Sequence, residues 1–306
     1  MAGARLGAGA AGAVAEVGRP PLELAAHRRP RLRARQVAEN IGWYLILSLI
    51  ALITIFPFLW IVMTSLKGPQ DLLFSTPPQL FPAHPSLAAY STVLAALPIP
   101  KFFLNSIVAS SLTTVFNVLV SALAAYPLAK MRFRFREPIF YLLLATLIVP
   151  IQLTFIPSYL LARFFGYYDS LPAIIWPSLA SAFNIFLMRQ AFRGVPDELI
   201  DAARVDGAGD WRIWWQIAVP LVRPTIATVA IFTFVTSWND FLWPSLMLPT
   251  TVNKTLPVGL AALQSYFSSD FRSIAAGVTM TVIPILIFFV ALQRYFVRGL
   301  GGALKG

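Results

Sequence analysis

Long uninterrupted apolar runs dominate the pattern of hydrophobic and polar positions along this chain. No charged residue lies between Ile41 and Leu66, and none lies between Phe102 and Ala129. A helix needs about 20 residues to cross a hydrocarbon layer about 30 Å thick, and six runs meet that length approximately. They are too continuous for the alternating pattern of barrel strands, so all six are predicted to be helices. The predicted spans are Trp43–Ser65, Phe103–Leu128, Phe140–Leu160, Leu171–Met188, Thr225–Met247 and Ser273–Leu292.

Prolines lie inside several of these spans. They would break a soluble helix, but in lipid they are tolerated as kinks because neighbouring helices satisfy the freed carbonyls. The sequence therefore predicts an all-α integral membrane protein with six transmembrane helices. The prolines concerned are Pro57, Pro127, Pro150, Pro157, Pro177 and Pro284.

Composition agrees with this class. Of the 306 residues, 58% are hydrophobic and 12% are charged, whereas a soluble domain carries roughly 25% charged residues. The chain therefore cannot cover itself with polar surface, and a soluble globule, a disordered chain, a coiled coil and a disulfide scaffold are excluded. Cysteine is absent, which removes thiolate catalysis and thiolate metal sites.

The net charge of +11 is distributed unevenly across the predicted membrane. The N-terminal segment, the second and fourth connections and the C-terminal tail hold 19 of the 24 basic residues. By the positive-inside rule both termini are predicted to be cytoplasmic, so the charge reflects topology in a cell membrane rather than a nucleic-acid partner. Residues 1–40 are predicted to form a disordered basic cytoplasmic arm, and residues 41–306 the transmembrane domain.

Motifs for catalysis are missing from the sequence. No lysine follows a glycine, so a P-loop for ATP is excluded, and no metalloprotease or nucleophile-elbow motif occurs. The two histidines, His27 and His84, fall in predicted loops on opposite sides of the membrane. We therefore expect no catalytic site, no metal site and no bound cofactor, and a transport role becomes the default.

The connection over residues 194–224 is unusually long and has its own organisation. Pro196 is placed as a first helical residue, and Asp197 with Glu198 complement the positive end of the helix dipole. Gly207 tolerates the positive φ that ends a helix. A helix is thus predicted over residues 196–206, followed by a second short helix that Asp210 caps and that runs through Gln216. On physical grounds alone, the first helix could equally rest on lipid headgroups.

This connection resembles the EAA loop of binding-protein-dependent ABC importer permeases. That loop has an acid and two alanines, three residues, Gly, nine residues, and Ile-x-Leu-Pro. The sequence departs where Asp201 replaces the usual Glu and Val219 the usual Leu. The residues on the family spacing are Asp201, Ala202, Ala203, Gly207, Ile217 and Pro220.

Further segments resemble the carbohydrate-importer branch, in particular its smaller, MalG-like permease with a type I importer fold. The resemblance extends over roughly residues 41–306. The segments are Phe103–Ser106, Ala124–Pro127, Val149–Gln152, Trp238–Pro244 and Gly299–Gly306.

The resemblance implies a set of partners. They are a second, MalF-like permease, two ATPase subunits that bind ATP and Mg²⁺, an extracytoplasmic solute-binding protein, and a sugar substrate. The helix over residues 196–206 would be a coupling helix that docks on the ATPase. Residues 68–100 and 249–271 would face the binding protein, and the Gly-rich ending would reach the ATPase or remain a flexible terminus. The implied coupling residues are Glu198, Asp201, Ala202, Ala203, Asp206, Gly207, Ile217 and Pro220.

A few polar side chains lie within the apolar spans. Asp240 is the acid of the fifth span, and three roles remain open: capping or pairing within the helix bundle, lining the pathway or gate, and proton coupling. The third would suit a secondary transporter, but such a protein usually carries buried carboxylates in several spans. An integral-membrane enzyme is disfavoured because nucleophile, base and metal ligands are lacking. The other candidates for the pathway or gate are Asn105, Gln152, Asn184, Trp238 and Asn239.

Overall fold

The computed structural model describes residues 30–77, 79–283 and 286–287, with side chains from residue 39 onward. This part of the chain is helical, and its one β feature is an isolated bridge between Lys67 and Pro85. The α-helices are α1 Pro30–Ser65, α2 Ala88–Ala96, α3 Ile99–Lys130, α4 Arg136–Ala145, α5 Phe155–Phe164, α6 Leu171–Ile175, α7 Ala182–Arg193, α8 Asp197–Val205, α9 Asp210–Ile213, α10 Val219–Leu221, α11 Arg223–Asn239, α12 Leu242–Met247, α13 Leu256–Tyr266 and α14 Phe271–Ile283. Short 3₁₀ segments and one π segment connect several of them: Thr146–Ile148, Ile151–Thr154, Trp176–Ser178, Trp214–Ala218 and Thr251–Asn253.

The chain divides into two compact units at Pro57. The described part of the first unit is the beginning of α1, whose residues from Glu39 to Pro57 are almost all solvent-exposed although most are apolar. The span window Glu39–Ser65 is long and apolar enough to cross a membrane. Because apolar surface of this extent is unfavourable in water, this helix suits lipid or a protein partner.

Helix α3 lies at the centre of the second unit. Its buried face is made largely of small and hydroxyl residues, which allow helices α7 and α11 to pack closely against it. Helix α3, Ile99–Lys130, is long and apolar enough to cross a membrane, and it contains the predicted span Phe103–Leu128.

Three of the spans predicted as continuous helices are broken in the structure. The segments Arg136–Ile148 and Ile151–Phe164 meet at 96°, and the break falls where Val149 adopts an extended conformation before Pro150. A residue before proline is disfavoured in the helical region, so the chain turns instead of kinking. The third span was predicted as one helix with proline kinks, whereas the structure has two helical segments that meet at a sharp turn.

The fourth and fifth spans show the same behaviour. Leu171–Ser178 and Ala182–Arg193, within the predicted fourth span, are bent by 45°. The 79° bend between Asp210–Leu221 and Arg223–Asn239 falls before the predicted start of the fifth span at Thr225. The fifth span was predicted to continue to Met247, but α11 ends at Asn239 and α12 starts at Leu242. Within the described residues, two helices can cross a membrane singly, and up to five spans result if each bent pair counts as one.

The predicted sixth span, Ser273–Leu292, is described only in part. Helix α14 covers its beginning over Phe271–Ile283. Residues 30–40, which were assigned to the disordered arm, belong to α1 instead. Residues 284–285 and 288–292 of the sixth span, the C-terminal tail and residues 1–29 of the arm lie outside the described residues. Those predictions remain predictions.

Candidate functional site

Helix α8 forms in the segment that was predicted to be a coupling helix, and it is bounded by defined turns. It starts at Asp197, one residue later than predicted, because Pro196 is extended (φ −58°, ψ 131°) and precedes the helix. At its end, Gly207 N donates to Arg204 O at 3.0 Å and Ala208 N donates to Ala203 O at 2.9 Å. This is a Schellman motif, and it requires the φ of +80° that Gly207 adopts.

The two alanines of α8 face different environments. Ala203 and Ile200 are buried within the chain, in a cluster with Phe192, Met188 and Trp214. Ala202 is exposed. The structure therefore assigns close packing against the chain's own core to Ala203, and only Ala202 is available to another subunit.

The first turn of α8 is fixed to the end of α3. Lys130 Nζ donates to Val195 O and to Asp197 Oδ1, each at 2.5 Å. The Lys130 side chain is only 6% exposed, whereas Asp197 is 77% exposed. The hydrogen bond and positive charge of Lys130 hold the pKa of Asp197 below its ordinary value. This ion pair links an apolar span candidate directly to the candidate coupling helix.

A buried arginine joins three further elements beside this link. Arg189 Nε donates to Leu128 O at 2.8 Å, and its Nη2 donates to Glu137 Oε1 at 2.5 Å. Its guanidinium also lies 3.7 Å from the centroid of the Phe140 ring. Helices α3, α4 and α7 are therefore held together at the end nearest α8. The sequence analysis used Lys130 and Arg189 only as topological charges and missed both links.

The acidic residues of α8 point outward. Asp201 lies 3.6 Å from Arg204, which also contacts Asp210 at 3.2 Å. Glu198 and Asp206 are exposed, and within the described residues neither side chain forms an ion pair or hydrogen bond. The surface of α8 thus carries carboxylates that a basic partner could bind.

Apolar side chains project from the same region. Val205 is 88% exposed, and Leu199 and Trp211 are 47% and 67% exposed. The sequence analysis did not predict this apolar character; the signal was the large separation of Val205 from the buried Ile200–Ala203 face on a helical wheel. We call Leu199, Ala202 and Val205, which share the exposed face of α8, the outer patch.

The second short helix differs slightly from its prediction. It starts at Asp210, but Gly209 rather than Asp210 is its N-cap, and after Ile213 it continues as a π segment to Ala218. Ile217 and Pro220 are half-buried near the cluster that holds Ile200. They therefore help to hold the hairpin formed by α8 and α9 (residues 197–213) against the rest of the chain.

The polar candidates of the spans are dispersed. Asn184 is buried and its Nδ2 donates to Asn117 Oδ1 at 2.7 Å and to Thr233 Oγ1 at 3.0 Å, which joins α3, α7 and α11. Asn105 Nδ2 donates to the carbonyls of Val252 and Lys254 at 2.9 and 3.0 Å.

Four further candidates lie elsewhere. Gln152 is exposed beside the 96° break. Trp238 is buried against Phe103, with ring centroids 5.7 Å apart. Asn239 ends α11, and Asp240 Oδ1 accepts a hydrogen bond from Trp243 N at 3.4 Å. Asp240 therefore has a local capping partner in the helix break, and its role in a pathway stays a prediction.

These features define a class: a multi-pass helical membrane protein in which a helical hairpin, held to α3 by Lys130, carries an exposed apolar patch. Residues 117–302 match the family of binding-protein-dependent transport system inner membrane components. The chain belongs to that family, and it is an inner-membrane permease component of an ABC transporter.

Relatives match nearly the whole chain. The lactose transport system permease protein LacG of Rhizobium radiobacter is 34% identical over 271 residues, which cover 89% of this chain and 98% of LacG. The arabinooligosaccharides transport system permease protein AraQ of Halalkalibacterium halodurans is 32% identical, over 89% of this chain and 99% of AraQ. A chain in the crystal structure of a bacterial ABC transporter that imports the acidic polysaccharide alginate matches with a TM-score of 0.73 and 25% identity, over 86% of this chain and 98% of that chain.

Proposed function

We propose that this chain is a permease subunit of an ATP-driven sugar importer, with six spans and both termini cytoplasmic. It forms the path for a sugar or oligosaccharide together with a second permease. The saccharides named for LacG, AraQ and the alginate transporter support this substrate class. A solute-binding protein delivers the substrate at the external connections over residues 68–100 and 249–271.

The observation that carries the proposal is the outer patch on a rigidly anchored α8. Exposed Leu199, Ala202 and Val205 lie beside the carboxylates of Glu198 and Asp201, while Ile200 and Ala203 fix the helix to the chain. An apolar centre with a charged rim is the usual composition of a protein interface. The ATPase subunit, which binds ATP and Mg²⁺, is the proposed partner.

The anchoring suggests how movement passes to the membrane. When ATP closes the ATPase dimer, α8 is displaced as a rigid body. The Lys130–Asp197 pair transfers this displacement to α3, and Arg189 transfers it from α3 to α4 and α7. The chain itself carries out no chemical step, because hydrolysis takes place in the partner.

The outer patch can be tested by changing one exposed side chain. Val205→Asp should leave the permease folded, because the side chain is exposed, but should abolish ATPase co-purification and ATP-dependent sugar uptake. Val205→Leu is the matched control, since it retains apolar surface at the same position. Normal uptake by Val205→Asp in proteoliposomes that contain the whole transporter would refute the proposed docking.

A further inference from the structure

The loop between α3 and α4 has a distinctive pattern of alternating cations and aromatic rings. It reads Arg132-Phe133-Arg134-Phe135-Arg136. Both phenylalanines are exposed, 41% and 59% respectively. The loop borders an open cavity of about 570 Å³. The cavity is lined by Arg132, Phe133, Arg134, Arg136, Glu137 and Pro138.

The charges around this cavity do not balance. Glu137 is its one acid, and it is engaged by Arg189 at 2.5 Å and by Arg136 at 3.2 Å. Arg132 and Arg134 are exposed and form no hydrogen bond or ion pair with the described residues. Arg134 lies 5.7 Å from the ring of Phe135, and Arg132 acts on Asp197 only through its field. Two guanidinium groups at the cavity are therefore left without an acid.

The position of the loop restricts the kind of anion that can reach it. It connects Ile99–Lys130 to Arg136–Ile148, which are a span candidate and the first half of another. Helix α4 starts without a side-chain cap, so its dipole adds positive potential at the same place. Exposed phenylalanines beside the ends of apolar helices are favoured at the boundary of headgroups and acyl chains.

We propose that residues 132–136 bind the phosphate of an anionic phospholipid in the cytoplasmic leaflet. Guanidinium groups match phosphate oxygens in a two-pronged geometry, and Arg132 and Arg134 supply the two that are uncommitted. Phe133 and Phe135 enter the acyl region next to the headgroup. The inference rests on the proposed orientation of the chain, because anionic lipid is concentrated on the cytoplasmic face.

The test compares lipid binding by matched arginine variants of the whole transporter. The complex is purified in detergent, and retained phosphatidylglycerol and phosphatidylcholine are measured by native mass spectrometry over a titration of each lipid. Each juxtamembrane arginine contributes roughly fivefold to such binding, so Arg132→Gln with Arg134→Gln should weaken phosphatidylglycerol binding about 25-fold. Phosphatidylcholine binding should not change.

A matched control is available in Arg193→Gln with Arg223→Gln. Both arginines are exposed on the same predicted side, and neither pairs with another described residue. Neither residue lines the cavity beside residues 132–136, so this control removes the same charge without touching the site, and its loss of phosphatidylglycerol binding should be clearly smaller than that of the Arg132/Arg134 variant. An equal loss in both variants would overturn the proposal, because it would show binding by general surface charge. Equal phosphatidylglycerol binding by the Arg132/Arg134 variant and the unmodified protein would overturn the proposal.

Two other occupants give distinct results. Saturation of the site by millimolar inorganic phosphate without any lipid preference would assign it to a free anion and overturn the lipid site. Loss of ATPase co-purification in the Arg132/Arg134 variant, with phosphatidylglycerol binding unchanged, would assign the loop to the ATPase. The Val205 experiment reads docking separately, so failure of the transport proposal and failure of the lipid site are distinguishable.

Discussion

Lys130 and Asp197 form an ion pair across 67 residues of sequence, with Nζ and Oδ1 2.5 Å apart. The lysine belongs to the last turn of α3 and the aspartate to the first turn of α8. Since Lys130 also holds the carbonyl of Val195, the entry to α8 cannot shift without displacing α3. This pair joins the candidate coupling helix to a candidate span, beside the buried cluster that also holds Ile200 and Tyr126.

Lys130→Met should uncouple the transporter while leaving it assembled. The freed Asp197 is exposed and can be hydrated, so the loss acts on transmission more than on folding. Changes along such a connection alter coupling by about 0.5–2 kcal/mol, which corresponds to roughly 2- to 30-fold in uptake per ATP hydrolysed. The ratio is measured in proteoliposomes. An unchanged ratio would exclude the pair as a transmission route.

The same pair predicts a pH dependence of stability. Lys130 lowers the pKa of the Asp197 carboxyl from its ordinary 3.8. The stabilisation from the pair is therefore present above that ordinary pKa and is lost as pH falls through the lowered pKa. The thermal midpoint of the unmodified protein minus that of Asp197→Asn should be constant from about pH 5 to 8 and should decrease below about pH 4. A difference that grows on acidification would contradict this sign.

Gly207 and Gly209 provide a comparison of backbone conformation alone. No atom lies within 4 Å of an added Cβ at either position, but φ is +80° at Gly207 and −72° at Gly209. Gly207→Ala should therefore destabilise the hairpin by about 1 kcal/mol, and Gly209→Ala should not. ATPase affinity and hydrogen exchange over residues 197–208 report the effect. Equal behaviour of the two variants would show that the Schellman turn is unimportant.

Asn184 is predicted to act as a connector between helices. Asn184→Leu removes the donors to Asn117 and Thr233 and should cost roughly 1 kcal/mol of stability. Asn239→Leu is the control, because its amide bonds only to Val235 in its own helix. Thermal unfolding in detergent distinguishes them. Full stability of Asn184→Leu with an altered sugar profile would instead place Asn184 in the transport pathway.

The sequence predicted the helical class and the location of α8 well. Apolar length alone defines spans such as Ile99–Lys130, and the turn residues Pro196 and Gly207 place α8 to within one residue at each end. Both signals are local, so they can be read without knowing which helices meet.

Features that depend on tertiary contacts were not predictable in the same way. Pro150 was predicted to kink a helix, but the two helical segments beside it meet at 96°, an angle that the local sequence does not set. Arg189 was counted only as one of the basic residues on the predicted inner side. It is in fact buried and bonds to Leu128 and Glu137, both of which are more than 50 residues away from it in sequence. Ala203 matched a motif, and only packing shows that it faces inward.

The 79° bend at Val222 gives the hairpin a mechanical property of its own. Asp210–Leu221 meets Arg223–Asn239 nearly at a right angle. A force along the shorter helical segment therefore acts sideways on the longer one and tends to rotate it. The longer segment ends at Asn239, and the next helix, α12, begins at Leu242. With the hairpin on the proposed cytoplasmic side, a small displacement of α8 and α9 would thus give a larger displacement of Asn239 on the opposite side.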